Sequence, residues 1–206
     1  MSVGIVNYRM GNVFSIKQTV EKLGYETFIA NYPDTLNKAD KIILPGVGSF
    51  KKAMENLNEG GWTNVLNKLV KMDEIPLLGI CLGMHLLGQS SNEVSLTKGL
   101  SFVNGHVVNL NQLGCKLRIP HVGWNDVKMK KKPLFDKIAQ NSDFYFVHSY
   151  AFKHIDKELI FATTSYDIEI IAVIKSKNIF GMQFHPEKSS LPGKQLLKNF
   201  LRITEC

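Results

Sequence analysis

A chain of 206 residues is long enough for one generous domain or two very small ones. Hydrophobic residues at 44% and dispersed charge exclude general disorder, and no apolar run approaches the roughly 18 residues of a membrane-spanning helix. The net charge of +7 invites a nucleic-acid reading, but the dense run Lys128, Lys130, Lys131 and Lys132 carries no interleaved aromatics to stack on bases. It reads as a solvated loop, and the excess charge can guide encounter with an acidic protein partner.

The opening segment Met1-Ser2-Val3-Gly4-Ile5-Val6-Asn7 has neither a basic region nor a cleavage site, so no signal peptide is expected. The three cysteines, Cys81, Cys115 and Cys206, are too few and scattered for a disulfide framework. A reducing, cytoplasmic setting is expected.

In the first hundred residues strand and helix signals alternate. Residues 3–6, 27–30, 41–44 and 75–80 read as strands. Residues 13–23, 50–57, 62–70 and 82–87 read as helices, the first from apolar Val13, Ile16, Val20 and Leu23 at helical spacing with Gly24 as a stop. This order predicts a mostly parallel sheet with helices on both faces. The second half reads as strands over 100–110, 116–119, 143–150, 159–165, 168–174 and 179–184, several of them antiparallel additions. A final helix from about Pro192 sets Leu196, Leu197, Phe200 and Leu201 on one stripe. With no linker, low-complexity segment or repeat, one domain over 1–206 is expected. The fold class is three-layer α/β.

The sharpest local signal is Gly79-Ile80-Cys81-Leu82-Gly83 between a buried strand and a helix. It is the cysteine counterpart of a nucleophile elbow, with the glycines letting a sharp turn hold the nucleophile in a strained backbone conformation and the helix N-terminus favouring thiolate. Alone, it equally fits a small core residue flanked by glycines. A thiolate transferring an acyl group needs a base and a group that orients it. Phe184-His185-Pro186-Glu187 offers both, with His185 just past the carboxyl end of a strand, although a lone His-x-Glu is as often a solvated pair. Pro45-Gly46-Val47-Gly48-Ser49 could aim N–H groups at an oxyanion, with the N–H of Leu82 as second donor. It also fits an ordinary strand-to-helix turn. It lacks the ending of a P-loop and the third glycine of a dinucleotide loop.

Together, Gly79-Ile80-Cys81-Leu82-Gly83-Met84 and Phe184-His185-Pro186-Glu187-Lys188-Ser189 resemble the class I (triad) glutamine amidotransferases in order and separation. Asn7-Tyr8-Arg9-Met10-Gly11-Asn12, Pro45-Gly46-Val47-Gly48, Pro120-His121-Val122-Gly123-Trp124-Asn125 and Tyr145-Phe146-Val147-His148-Ser149-Tyr150 narrow the resemblance to the glutaminase subunits of imidazole glycerol phosphate synthases. The likeness covers essentially the whole chain.

The resemblance implies a catalytic triad of Cys81, His185 and Glu187, an oxyanion hole at Gly48 and Leu82, and glutamine contacts at His85, Glu93, Ser149 and Tyr150. It implies a (β/α)8-barrel cyclase subunit as heterodimer partner, receiving ammonia to form imidazole glycerol phosphate for histidine synthesis. Asn12, Trp124, Tyr145 and Lys188 match positions facing that partner. No cofactor and no metal is called for; His106 and His121 read as structural histidines, and neither nucleic acid nor membrane is an expected partner.

Two residues depart from the family pattern. His85 stands where glutamine is usual, and can titrate near neutrality as glutamine cannot. Arg9 replaces a glycine near the partner face. Two other readings stand beside the main one. One is a paralogous glutaminase supplying ammonia for amidino groups on bacterial surface sugars. The other is a catalytically silent docking subunit.

Overall fold

The computed structural model describes residues 1–130 and 133–203; Lys131, Lys132 and Cys206 of the sequence reading lie outside the described residues. The amino-terminal half alternates β1 (Ser2–Val6), α1 (Val13–Lys22), β2 (Glu26–Ala30), β3 (Lys41–Leu44), α2 (Phe50–Glu59), α3 (Trp62–Asn67), β4 (Leu77–Ile80) and α4 (Leu82–Leu86). Beyond it lie β5 (Ser90–Ser91), β6 (Thr97–Lys98), β7 (His106–Asn109), β8 (His121–Asp126), β9 (Lys128–Met129), β10 (Asp143–His148), β11 (Tyr150–Lys153), β12 (Ile160–Tyr166), β13 (Ile168–Ser176), β14 (Ile179–Met182) and α5 (Ser190–Arg202).

Eight strands form the central sheet in the order β2-β1-β3-β4-β14-β13-β12-β9. The first five are parallel, and β13, β12 and β9 extend the sheet antiparallel. Alternate residues serve opposite faces, as the two-residue period of a strand requires. Ile42, Leu44 and Leu77 face a core shared with α2 and α3, whereas Ile43, Leu78 and Ile80 pack with Val13, Ile16, Leu197 and Phe200 of α1 and α5. Every residue of β3 and β4 is buried, hence the apolar runs Ile42-Ile43-Leu44 and Leu77-Leu78-Gly79-Ile80. The three-layer, mostly parallel architecture with antiparallel additions matches the expectation.

Three strand expectations need correction. Of 100–110, only His106–Asn109 is strand. Leu100, Ser101, Phe102 and Val103 instead donate backbone N–H groups to the carbonyls of Leu86, Leu87 and Gly88. The end of α4 needs such donors, since its last carbonyls have no partner within the helix. Residues 116–119 form no strand: Leu117 is half exposed, the Lys116 N–H is taken by Asp167 Oδ2 at 2.6 Å, and pairing begins at His121. The expected strand over 143–150 is two strands in different sheets. β10 pairs with β8 and β11 with β7, so the chain changes sheets at Ser149. The sheet β11-β7-β5-β6 lies beside the carboxyl end of β4 and contributes Ser91 and Val107 to the cavity described next.

Candidate active site

Cys81 is the hinge between β4 and α4. Its φ of 54° and ψ of −111° lie outside the ordinary regions for an L-residue, a strain of roughly 1–3 kcal/mol that the packing around it must sustain. The flanking glycines work by closeness. A Cβ on Gly79 would stand 2.6 Å from the Gly83 carbonyl oxygen, and one on Gly83 only 1.9 Å from the Leu44 oxygen. The cysteine carries the strained backbone, as expected of the nucleophile, while the glycines let α4 press against β3 and β4. The Cys81 N–H donates to Met182 O at 2.7 Å, and its thiol faces Val147 O at 3.7 Å.

His185 follows β14, the neighbour of β4, so sheet order alone brings it beside Cys81. Its Nδ1 meets Glu187 Oε1 at 2.9 Å, with both side chains buried. Its backbone is clamped as well. The N–H donates to Tyr145 O at 2.9 Å, and the carbonyl accepts from Ser189 Oγ at 2.6 Å, which in turn accepts from the Tyr145 N–H at 3.0 Å. Burial disfavours the imidazolium, but the hydrogen bonds and negative charge offered by Cys81 and Glu187 outweigh it and raise His185 to about 9. Its Nε2 is buried without an ordinary hydrogen-bond partner among the described residues, with Cys81 as its electrostatic neighbour. That arrangement sets the His185 imidazolium beside the Cys81 sulfur.

One cavity of about 200 Å³ collects the expected residues: Gly48, Cys81, Leu82, His85, Glu93, Ser149, Tyr150 and His185 all line it. Glu187 stands behind the histidine. On the loop before α2, Gly48 holds a φ of 103° that other residues rarely adopt. Upstream, Pro45 O accepts from the buried Tyr8 hydroxyl at 2.7 Å; burial pushes the Tyr8 phenol up, so it remains a donor. A Cβ on Gly46 would lie 2.7 Å from the Gly83 backbone nitrogen, so the loop rests directly on the start of α4.

His85 differs from expectation. It is buried, and Nε2 meets Gln183 Oε1 at 2.7 Å. Burial lowers it to about 4, more than the Gln183 hydrogen bond raises it, so it stays neutral where titration near neutrality was expected.

Reading the sequence did not single out Gln183, Ser91 or Ser189 as functional. It also passed over His148, whose ring lines the cavity and joins His121 Nδ1 at 3.0 Å. His121 lies stacked between Phe146 and Tyr166, a packed structural histidine as expected, and His106 Nδ1 meets Ser90 Oγ at 2.8 Å.

Among the residues expected at the partner face, Trp124 and Tyr145 are cross-strand partners with rings 6.0 Å apart. Lys188 Nζ lies 5.9 Å from the Tyr145 ring. Trp124 is 53% exposed, so the cluster has an open apolar side. Asn12 caps α1, its side chain accepting from the Ser15 N–H at 3.2 Å. Arg9 takes a positive φ of 67°, a backbone shape that glycine would adopt without strain.

Comparison with known proteins shows the family and the fold. Imidazole glycerol phosphate synthase subunit HisH 2 of Methanococcus maripaludis is 49% identical over 97% of this chain and 98% of its own. Subunit HisH 1 of Campylobacter jejuni is 44% identical over 98% and 100%, and subunit HisH of Bacillus licheniformis 41% over 98% and 97%. Two solved structures share the fold at 19% identity. A crystal structure of glutamine amidotransferase has a TM-score of 0.77, covering 97% of this chain and 96% of that one; PurLQS from Thermotoga maritima has 0.73, covering 97% of each. The family model "Glutamine amidotransferase class-I" matches residues 5–204, and with an elbow cysteine, a carboxylate-bound histidine and near-full-length relatives, the chain belongs to the class-I glutamine amidotransferase family.

Proposed function

We propose that this chain is the glutamine-hydrolysing subunit of an imidazole glycerol phosphate synthase, with Cys81, His185 and Glu187 as its triad. The observation that carries the reading is the strained Cys81 sharing one cavity with His185, itself bound to Glu187 at 2.9 Å. The Cys81 thiolate attacks the side-chain amide carbon of glutamine, and the oxygen takes up negative charge. The N–H groups of Gly48 and Leu82 receive that charge. The intermediate collapses as the imidazolium of His185 gives its proton to the leaving nitrogen, releasing ammonia and leaving a γ-glutamyl thioester. His185, now neutral, takes a proton from water, which attacks the thioester and releases glutamate. Glu187 keeps the ring oriented and balances its charge. Glu93, His85, Ser149 and Tyr150 hold the α-amino-acid end of the substrate.

The ammonia passes to a (β/α)8-barrel cyclase subunit that docks over Trp124, Tyr145 and Lys188. Tyr145 supports this placement, since its backbone bonds reach both His185 and Ser189. The relatives' names favour histidine synthesis over the sugar pathway. We read residues 1–206 as one domain, a reading supported by a family match that runs unbroken over residues 5–204. We place the protein in the cytoplasm, which the free thiols of Cys81 and Cys115 support.

The test is glutamate release from glutamine by the complex with the cyclase. Cys81→Ala should lower it by several orders of magnitude, while the complex still forms imidazole glycerol phosphate from ammonium salts. Near-normal glutamate release by that variant would refute the assignment.

A further inference from the structure

Among the described residues, Glu93 carries the only carboxylate lining the cavity that holds Cys81 and His185. An amino-acid substrate brings an α-ammonium into that cavity, and Glu93 is the charge there to meet it. The same carboxylate is already engaged: Oε2 accepts from the Phe50 N–H at 2.6 Å. Phe50 is the first residue of α2. Ser49, at the N-cap position, makes no side-chain capping bond, so Glu93 does the capping from 43 residues away. Two positions before Phe50 lies Gly48, whose N–H is assigned to the oxyanion.

We infer that Glu93 couples recognition of the substrate's α-ammonium to the setting of the oxyanion loop through the Phe50 N–H. The inference rests on the glutaminase reading and adds a linkage within that site. Glu93 is presented by the turn after β5, where its own N–H donates to Ser91 Oγ at 3.2 Å. One carboxylate oxygen holds the start of α2, leaving the other for the cavity. An ammonium on that other oxygen draws the carboxylate into one position and charge, and so settles the Phe50 N–H and the Gly48–Ser49 backbone that leads into it. Ser49 O is fixed from the other side by the Ala53 N–H at 3.0 Å, so displacement at Phe50 is passed back towards Gly48. Correct substrate thereby helps to place the donors that stabilise its own transition state, and an amide without an α-ammonium leaves the loop unset.

The test compares Glu93→Gln and Glu93→Ala in the complex with the cyclase, and follows the Phe50 amide by NMR in the full-length Cys81→Ser chain as glutamine is added. Glutamine at 93 keeps an oxygen for Phe50 but loses the charge, so KM should rise roughly tenfold, about the worth of one modest contact, and kcat should fall severalfold because the ammonium no longer sets the loop. Alanine removes both roles and should also lower kcat by about tenfold to a hundredfold, the scale for a misplaced oxyanion donor. The Phe50 amide resonance should move on adding glutamine, and not on adding 4-carbamoylbutanoate, which lacks the ammonium. A Glu93→Ala variant altered in KM alone, with a Phe50 resonance indifferent to glutamine, overturns the coupling and leaves the glutaminase reading intact. Absence of glutamate release by the wild-type complex overturns both.

Discussion

At the scale of single residues, the chemistry depends on how the site sets charge. His185 is raised to about 9 because the partners on both sides of its ring outweigh the penalty of burial. With His185 as the proposed general acid, the ring is charged through neutral pH, and we expect the alkaline limb of the glutaminase rate as the pH climbs through about 9. Glu187→Gln removes one of the influences that raise it, so the limb should move to lower pH as kcat falls; a pH–rate profile with an unmoved limb would separate Glu187 from the triad. The same linkage has a stability side. A raised folded pKa gives stabilisation that is complete below the ordinary value of 6.5 and is lost as pH rises through about 9. His85 shows the opposite case. Burial outweighs the hydrogen bond with Gln183, and its neutral ring contributes shape and a hydrogen bond without a titration near pH 7.

At the scale of elements, the junction of β4 and α4 concentrates the structural demand. Its glycine spacing is plain in the sequence, but the reason for it is a close approach of backbones. Gly83→Ala would place a methyl group 1.9 Å from Leu44 O, which neither strand nor helix can yield without moving the nucleophile. Overpacking of this kind costs about 1–3 kcal/mol or more, enough in a chain of this length to lower the thermal midpoint by several degrees. We expect Gly83→Ala to show that loss in a melting curve together with a large drop in glutaminase rate; an unperturbed melt and rate would mean that the elbow is slack. The loop from Pro45 to Ser49 depends on the junction in turn, since Gly46 packs on the first turn of α4 and Glu93 holds the first residue of α2. Local pattern exposes such loops by their glycines. It does not expose Glu93, because its capping partner is distant in sequence.

At the scale of the whole molecule, a glutaminase working alone would release ammonia to solvent, and the Gly46-Val47-Gly48 segment has the backbone freedom to prevent this. A peptide unit there can offer a carbonyl to the oxyanion position in the free chain and an N–H in the complex. We expect very low glutaminase activity from the isolated chain, rising by about 10²–10³ when the cyclase and its nucleotide ligand are added, the effect of one oxyanion donor. High activity from the chain alone would sink that switch and leave the triad standing. The sequence alone determined the parallel core, the chain order of Cys81, His185 and Glu187, and the glycine loop, because each rests on short-range pattern: buried apolar runs, helical spacing and glycines at turns. It misread the break at Ser149 because a run of β-forming residues looks the same whether it serves one sheet or two; only the competing partners β8 and β7 divide it. It also could not reveal that His85 is held neutral against Gln183, 98 residues away, or that Glu93 reaches Phe50. Those features are decided by burial and by hydrogen bonds between segments that only the folded chain brings together, and neither leaves a periodic trace in the sequence.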